Sequence, residues 1–203
     1  SRHLATERPL KMLDKIQCTK LFIYDANVAD YIIVAGKSSK GTTLAIVPTD
    51  QDGVEVDQLL TIARDKQCEV RLNNAKGALL GQEGGGWSII ESVLQKYTVG
   101  EAAYLVGLAQ MDFEISVDYA KERVQFGRPI GSFQAIQHKC ADMLTDVDGS
   151  RFIMYKAAWA INTDQEDKQM QVNMAKAWVS DASRRVVAHG QQIHGGIGFT
   201  KDY

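Results

Sequence analysis

Two short stretches carry the residue types best suited to chemistry. The first is Glu122-Arg123-Val124-Gln125-Phe126-Gly127-Arg128-Pro129, followed at once by Ile130-Gly131-Ser132-Phe133-Gln134. A guanidinium presents donors in a rigid fork that matches a phosphate. Each charge-assisted hydrogen bond to such an anion contributes about 1.5–3 kcal/mol. Phe126, an aromatic ring within a charged stretch, can cover an apolar or aromatic ligand surface. A plainer reading makes the stretch a helix terminator. Gly127 is then the C-terminal cap, Pro129 blocks continuation, and the arginines sit favourably at a helix C-terminus. That reading leaves Phe126 unexplained, and spacing alone does not separate the two. The second stretch is Gln191-Gln192-Ile193-His194-Gly195-Gly196-Ile197-Gly198-Phe199. Its glycines either end a helix or let the backbone approach a ligand such as a pyrophosphate.

Other chemistries lack their residues. There is no nucleophile elbow, Walker loop or HExxH pair. Gly81-Gln82-Glu83-Gly84-Gly85-Gly86 lacks the lysine and hydroxyl of a phosphate loop and reads as a flexible sheet-to-helix connector. Cys18, Cys68 and Cys140 are far apart without CxxC spacing, against a disulfide framework or a zinc site. His3, His138, His189 and His194 form no metal motif; the last two are five apart, off a shared helix face.

These stretches must be positioned by elements of two kinds. Residues 19–24, 30–36 and 42–48 are rich in β-branched and aromatic residues, with a turn at 36–41 between the second and third. Shorter strands are expected at 53–56 and 68–72, and 57–66 is ambiguous between loop and helical turn. Beyond Trp87 the apolar period becomes helical: Ile90, Leu94, Tyr97, Leu105, Leu108, Met111, Ile115 and Tyr119 recur at a spacing near 3.6. One long helix is expected to about Val124, a second from Ser132 (as N-cap) to Ile161, and a third from about Lys168 to Ile193. The fold class is therefore α+β: a mostly antiparallel, barrel-like β-domain over 1–82, then an antiparallel helical bundle over 83–203. Only five residues follow Gly198, too few for a fourth long helix. The chain reads as a fragment, or as one that completes its core with a partner.

Whole-chain properties narrow the class. The 203 residues are 45% hydrophobic and 24% charged, an ordinary globular balance. A net charge of −2 gives no strong pull toward nucleic acid or anionic membrane. No apolar run has transmembrane length and the N-terminus lacks a signal-peptide pattern. These features favour a soluble intracellular protein, with bacterial cytoplasm preferred over the mitochondrial matrix.

The stretches at 119–143 and 192–203, in that order, resemble the signature segments of the acyl-CoA dehydrogenase family. Residues 20–36 resemble its central β-strand pair, and 79–87 its passage into the helical domain. The resemblance implies FAD as cofactor, an acyl-CoA substrate, an electron-transfer flavoprotein as oxidant, and a homodimer or homotetramer. It implies that flavin takes a hydride from the β-carbon of the thioester while a glutamate removes the α-proton. It also implies that this chain holds most of the middle domain and three of four C-terminal helices.

Residue by residue, the resemblance puts Arg123 on the FAD pyrophosphate with Gln125 beside it, and Phe126 against the cofactor. Phe133 and Gln134 line the same cofactor, which in family assemblies is held mainly by a neighbouring subunit. Gln192, Ile193, His194, Gly195 and Gly196 approach the pyrophosphate, and Phe22 and Tyr24 lie beside the flavin ring. Three departures stand out. Tyr24 occupies a position that is commonly Thr. No Arg stands near Thr98. No carboxylate stands at Tyr97, where a minority of members carry the catalytic base. Glu91 and Glu101 read as surface acids, so no catalytic residue is assigned and the expected Glu lies beyond Tyr203. The chain alone is expected to be inactive. The alternative from another class is a noncatalytic assembly module that keeps the fold.

Overall fold

The computed structural model describes residues 12–200, which form two compact units, one closing at Glu91 and the other opening at Ser92. The compositional change at 82/83 thus precedes the division between units by about two helical turns.

The first unit is a curled, wholly antiparallel sheet. Its strands are β1 (Met12–Tyr24), β2 (Tyr31–Ser38), β3 (Gly41–Pro48), β4 (Val54–Gln58) and β5 (Gln67–Leu80). They lie in the order β1-β5-β3-β2, with β4 also on β5. Strand β5 is the organiser. Its alternate residues Cys68, Val70 and Leu72 are buried with Val34, Val47 and Ala75 in one core, as the period-2 pleat requires. The expected strand at 68–72 is therefore only the first half of a 14-residue strand. Asn73-Asn74 and Lys76-Gly77 look like turn residues, yet the strand runs through them. Asn74 takes the left-handed region at φ 56°. At Gly77 a Cβ would lie 2.9 Å from Ile16 Cδ1 and 3.0 Å from Val47 Cγ2, so close packing excludes a side chain there.

The stretch at 81–86 is a tightly built turn rather than a slack connector. Gly84 has φ 86° and donates its N–H to Thr43 Oγ1 at 2.9 Å, while Glu83 pairs with Lys40 at 3.5 Å. A Cβ on Gly84 would sit 2.3 Å from the Lys40 carbonyl oxygen.

The second unit contains α1 (Gly86–Glu122, its first turns in the sheet unit), α2 (Gln134–Asn162) and α3 (Lys168–His194). Ala102 and Val106 of α1 meet Met154 of α2 and Val179 of α3. Further on, Ala109 and Ala120 meet Met143, Val147, Val186 and Ile193. Rising numbers on α1 match falling numbers on α2 and rising numbers on α3, so α2 runs antiparallel to both. Alanine at many contacts, among them Ala157 and Ala175, lets the helix axes approach closely.

Two boundaries differ from expectation. Helix α1 ends at Glu122, and the chain turns into a hairpin of β6 (Val124–Gln125) and β7 (Arg128–Pro129). Ser132 does not cap α2. It belongs to a separate 3-10 turn, Ile130–Ser132, where its hydroxyl donates to the Pro129 carbonyl at 2.7 Å; Phe133 stands at the N-cap.

Candidate functional site

Gly127 and Pro129 lie beyond the end of the helix in a β-hairpin, Gly127 in its turn and Pro129 in its second strand, and neither is a helix cap. In the hairpin Val124 faces Pro129 and Gln125 faces Arg128. The two residues between them, Phe126 and Gly127, have φ 53° and 79°, the doubly positive pattern of the tight hairpin turn that matches strand twist. Glycine accepts this freely; phenylalanine does so at a cost of roughly 1–2 kcal/mol. Phe126 is therefore on the hairpin tip, 93% exposed, four residues beyond the end of α1. The hairpin is tied to α1 by the Arg123 N–H donating to the Tyr119 carbonyl at 2.9 Å and the Ile130 N–H donating to the Arg123 carbonyl at 2.8 Å. Gly131 passes so close to α1 that a Cβ would meet the Ala120 carbonyl oxygen at 2.9 Å.

The end of α3 is built differently. Gly195 terminates it at φ 62° and ψ −138°, a conformation reserved for residues without Cβ. A 3-10 turn, Gly195–Phe199, follows and is pinned by Gln191 Nε2 donating to the Gly198 carbonyl at 2.6 Å. His194 is buried, and its Nδ1 lies 2.8 Å from the Gly190 carbonyl. A carbonyl only accepts, so Nδ1 carries the proton. Its ring stacks on Tyr119 at 4.5 Å between centroids.

Between these two helix ends lies a cleft of about 380 Å³ lined by Tyr119, Arg123, Gln125, Ile130, Ile193, His194, Gly196 and Ile197. It brings together five of the residues singled out from sequence: Arg123, Gln125, Ile193, His194 and Gly196. Gly195 adjoins it. Gln192 and Gln134 are exposed and outside its lining. Phe126 and Phe133 form a pair of their own, edge to face at 6.1 Å. Phe22 and Tyr24 belong to the sheet unit. Both are exposed on β1, where an irregularity between Lys20 and Ile23 turns Phe22 to φ 60°. A larger cleft of about 800 Å³ along β1, β2 and β3 is lined by none of the predicted residues.

The cleft has a cation and no anion. Arg71, Arg151, Arg184 and Arg185 each pair with carboxylates. Arg123 has no such partner among the described residues, and no acidic residue lines the cleft. Gly196 carries no Cβ, and one built there would have open space around it. An exposed guanidinium and a bare backbone suit a phosphate-bearing ligand. Among the described residues no group of three His, Cys, Asp or Glu side chains converges to hold a metal. No helix there is long and apolar enough to cross a membrane.

Tyr119 has the spacing of a helix-core position and is also a wall of the cleft one turn before Arg123. Ile130 lines the cleft as well, and neither it nor Asp112 is among the expected site residues. Asp112 projects from α1 against Gly190 of α3, where a Cβ would lie 2.4–2.5 Å from both carboxyl oxygens. Burial pushes its carboxyl above the ordinary range, and the charge of His194 opposes that shift. The available signal was spacing: Asp112 shares a helix face with the buried Ala109 and Ser116. Glu91 and Glu101 are both exposed, Glu101 at the rim of a small apolar recess beside Tyr97 and Lys176.

Comparison with known proteins agrees with this architecture. Residues 84–203 match the family model described as "Acyl-CoA dehydrogenase, C-terminal domain". An acyl-CoA dehydrogenase of Bacillus subtilis is 36% identical over 196 residues, covering 91% of this chain and 52% of its own length. A 3-(aryl)acrylate reductase of Clostridium sporogenes is 34% identical with the same coverage. The structure of butyryl-CoA dehydrogenase from Megasphaera elsdenii superposes with a TM-score of 0.85 at 30% identity, over 93% of this chain and 52% of that one. The chain thus spans about half the length of the relatives it matches.

Proposed function

This chain belongs to the acyl-CoA dehydrogenase family, and from that premise we propose that it is part of an FAD-dependent enzyme oxidising an acyl-CoA thioester to the trans-2-enoyl-CoA. The observation that carries the reading is the cleft in which Arg123, with no acidic partner among the described residues, meets the end of α3. That donor set fits a pyrophosphate. Arg123 supplies the positive charge, Gln125 offers a side-chain amide, and His194, Gly195 and Gly196 bring the backbone at the end of α3 to close approach. Ile193 supplies apolar wall. Phe126, Phe133, Gln134 and Gln192 extend this contact surface for a FAD held mainly by a neighbouring subunit; Phe22 and Tyr24, on the sheet unit, are proposed by themselves to lie beside a flavin ring.

When bound, FAD supplies the hydride acceptor that no side chain can provide. The work of these residues is to bind and orient it. No base for the α-proton is assigned within 12–200, where Tyr97 has no carboxylate and Glu91 and Glu101 point to solvent. The parent is proposed to act as a homodimer or homotetramer in the cytoplasm, passing electrons to an electron-transfer flavoprotein. The 203 residues alone are proposed to be inactive.

The test is anaerobic addition of acyl-CoA thioesters to the full-length flavoprotein. Loss of flavin absorbance with formation of the trans-2-enoyl-CoA is expected. A flavin-loaded protein that no acyl-CoA bleaches would overturn the dehydrogenase reading in favour of a noncatalytic module. Bleaching by the isolated 203 residues would overturn their inactivity.

A further inference from the structure

Arg128 has no role in the cleft, yet its guanidinium is committed. It lies 4.1 Å from the centroid of Phe133, over the ring face. Among the described residues it makes no ion pair, so its charge is not directed to a carboxylate there. Phe126 meets the same ring almost at right angles, at 86°. The three side chains come from two separate backbone devices, the positive-φ hairpin turn and the residue that caps α2. They converge although Phe126 and Arg128 are exposed and Phe133 is only half-buried.

We propose that Arg128 is a positioning residue for the cofactor site: by covering one face of Phe133 it fixes that ring, and through it Phe126, in the orientation that receives an aromatic ring of the dinucleotide. The inference rests on the FAD reading above. Its physical basis is preorganisation. A phenylalanine ring open to solvent on part of its surface keeps rotameric freedom that it loses when a ligand stacks on it. A guanidinium over one face and an aromatic edge against the ring remove much of the freedom before the ligand arrives. With one face of Phe133 taken by Arg128, the exposed ring of Phe126 is the surface offered to a ligand ring. Arg128 thus acts through Phe133 and contacts neither the phosphates nor the reacting atoms. Arg123 and Arg128, five residues apart, divide the labour: one faces the anion, the other holds the aromatic pair.

A double-mutant cycle separates this role from a general charge effect. FAD is removed from the full-length flavoprotein and titrated back into Arg128→Ala, Phe133→Leu and the double variant. Arg128→Ala is expected to weaken FAD binding about three- to fivefold, the size of an exposed cation–π contact. In the Phe133→Leu background the same change is expected to cost under about twofold. Arg128→Lys, which keeps a cation over the ring, recovers most of the affinity, and Arg128→Gln does not. Additive losses, or equal losses in the Lys and Gln variants, overturn the assignment. Arg123→Ala serves as the control for the underlying reading. If it binds FAD as tightly as the native protein, the pyrophosphate site itself falls. If it loses FAD while Arg128 and Phe133 act additively, only the role of Arg128 falls.

Discussion

The ends of α1 and α3 face one cleft but are made from opposite materials. At the end of α1 the side chains matter: Arg123, Gln125 and the aromatic tip are displayed by a hairpin whose turn forces Phe126 to φ 53°. At the end of α3 the backbone matters: Gly195 at φ 62° ends the helix, and Gly196 leaves the main chain bare. Charge and aromatic surface come from one wall, closeness of approach from the other. A pyrophosphate needs both, since a cation alone neither excludes other anions nor fixes orientation. The two walls should therefore fail in different ways.

The largest effect is expected at the side-chain wall. Removing the guanidinium in Arg123→Ala should weaken FAD binding by roughly ten- to a hundredfold, the equivalent of one lost charge-assisted interaction. Arg123 is exposed and has no ion-pair partner among the described residues, so thermal stability of the FAD-free protein should hardly change. A fall in that stability equal to the loss in affinity would mean that Arg123 supports the fold, and the contrast between the walls would collapse.

The backbone wall should show the reverse. Gly195→Ala leaves open space for the methyl but imposes a positive φ on a residue with Cβ. That costs roughly 1–3 kcal/mol of stability, seen as a lower denaturation midpoint even without FAD. Retention of the native midpoint would show that the end of α3 is not held in this conformation.

The same contrast explains what could be read beforehand. The hairpin joining β2 and β3 was legible because its turn residues separate two runs of β-branched residues. The full length of β5 was not, because Asn73, Asn74 and Gly77 imitate a turn when their packing partners are unknown. The end of α1 was legible as a break, since glycine and proline stop helices in any context. Whether the break becomes a cap or a hairpin depends on the Val124–Pro129 pairing and on Gly131 reaching Ala120, both tertiary events. Arg123 stood out as an anion donor by its residue type, the resemblance set it beside His194, and both line the cleft. Tyr119 and Ile130 did not stand out, because an apolar residue at helical spacing looks the same whether it fills a core or walls a cleft.

Asp112 gives the smallest expected effect and the finest test, because it sits behind the α3 wall rather than on it. Its carboxyl is raised above the ordinary value of 3.8, first by burial, with His194 opposing. A carboxyl raised on folding contributes stability that is complete below its unfolded pKa and lost as pH rises through its folded pKa. The native chain should therefore carry a penalty at neutral pH that Asp112→Asn removes. Asp65 and Asp164 are shifted the other way by hydrogen bonds and a lysine, so the overall profile mixes slopes, and the variant-minus-native difference isolates Asp112. That difference should be least below about pH 4 and grow in favour of the Asn variant toward neutrality, measured as urea midpoints across the range. A difference independent of pH would mean that the contact with Gly190 is steric alone. The α3 wall would then be shaped by the notch at Gly190 and not by the charge that faces it.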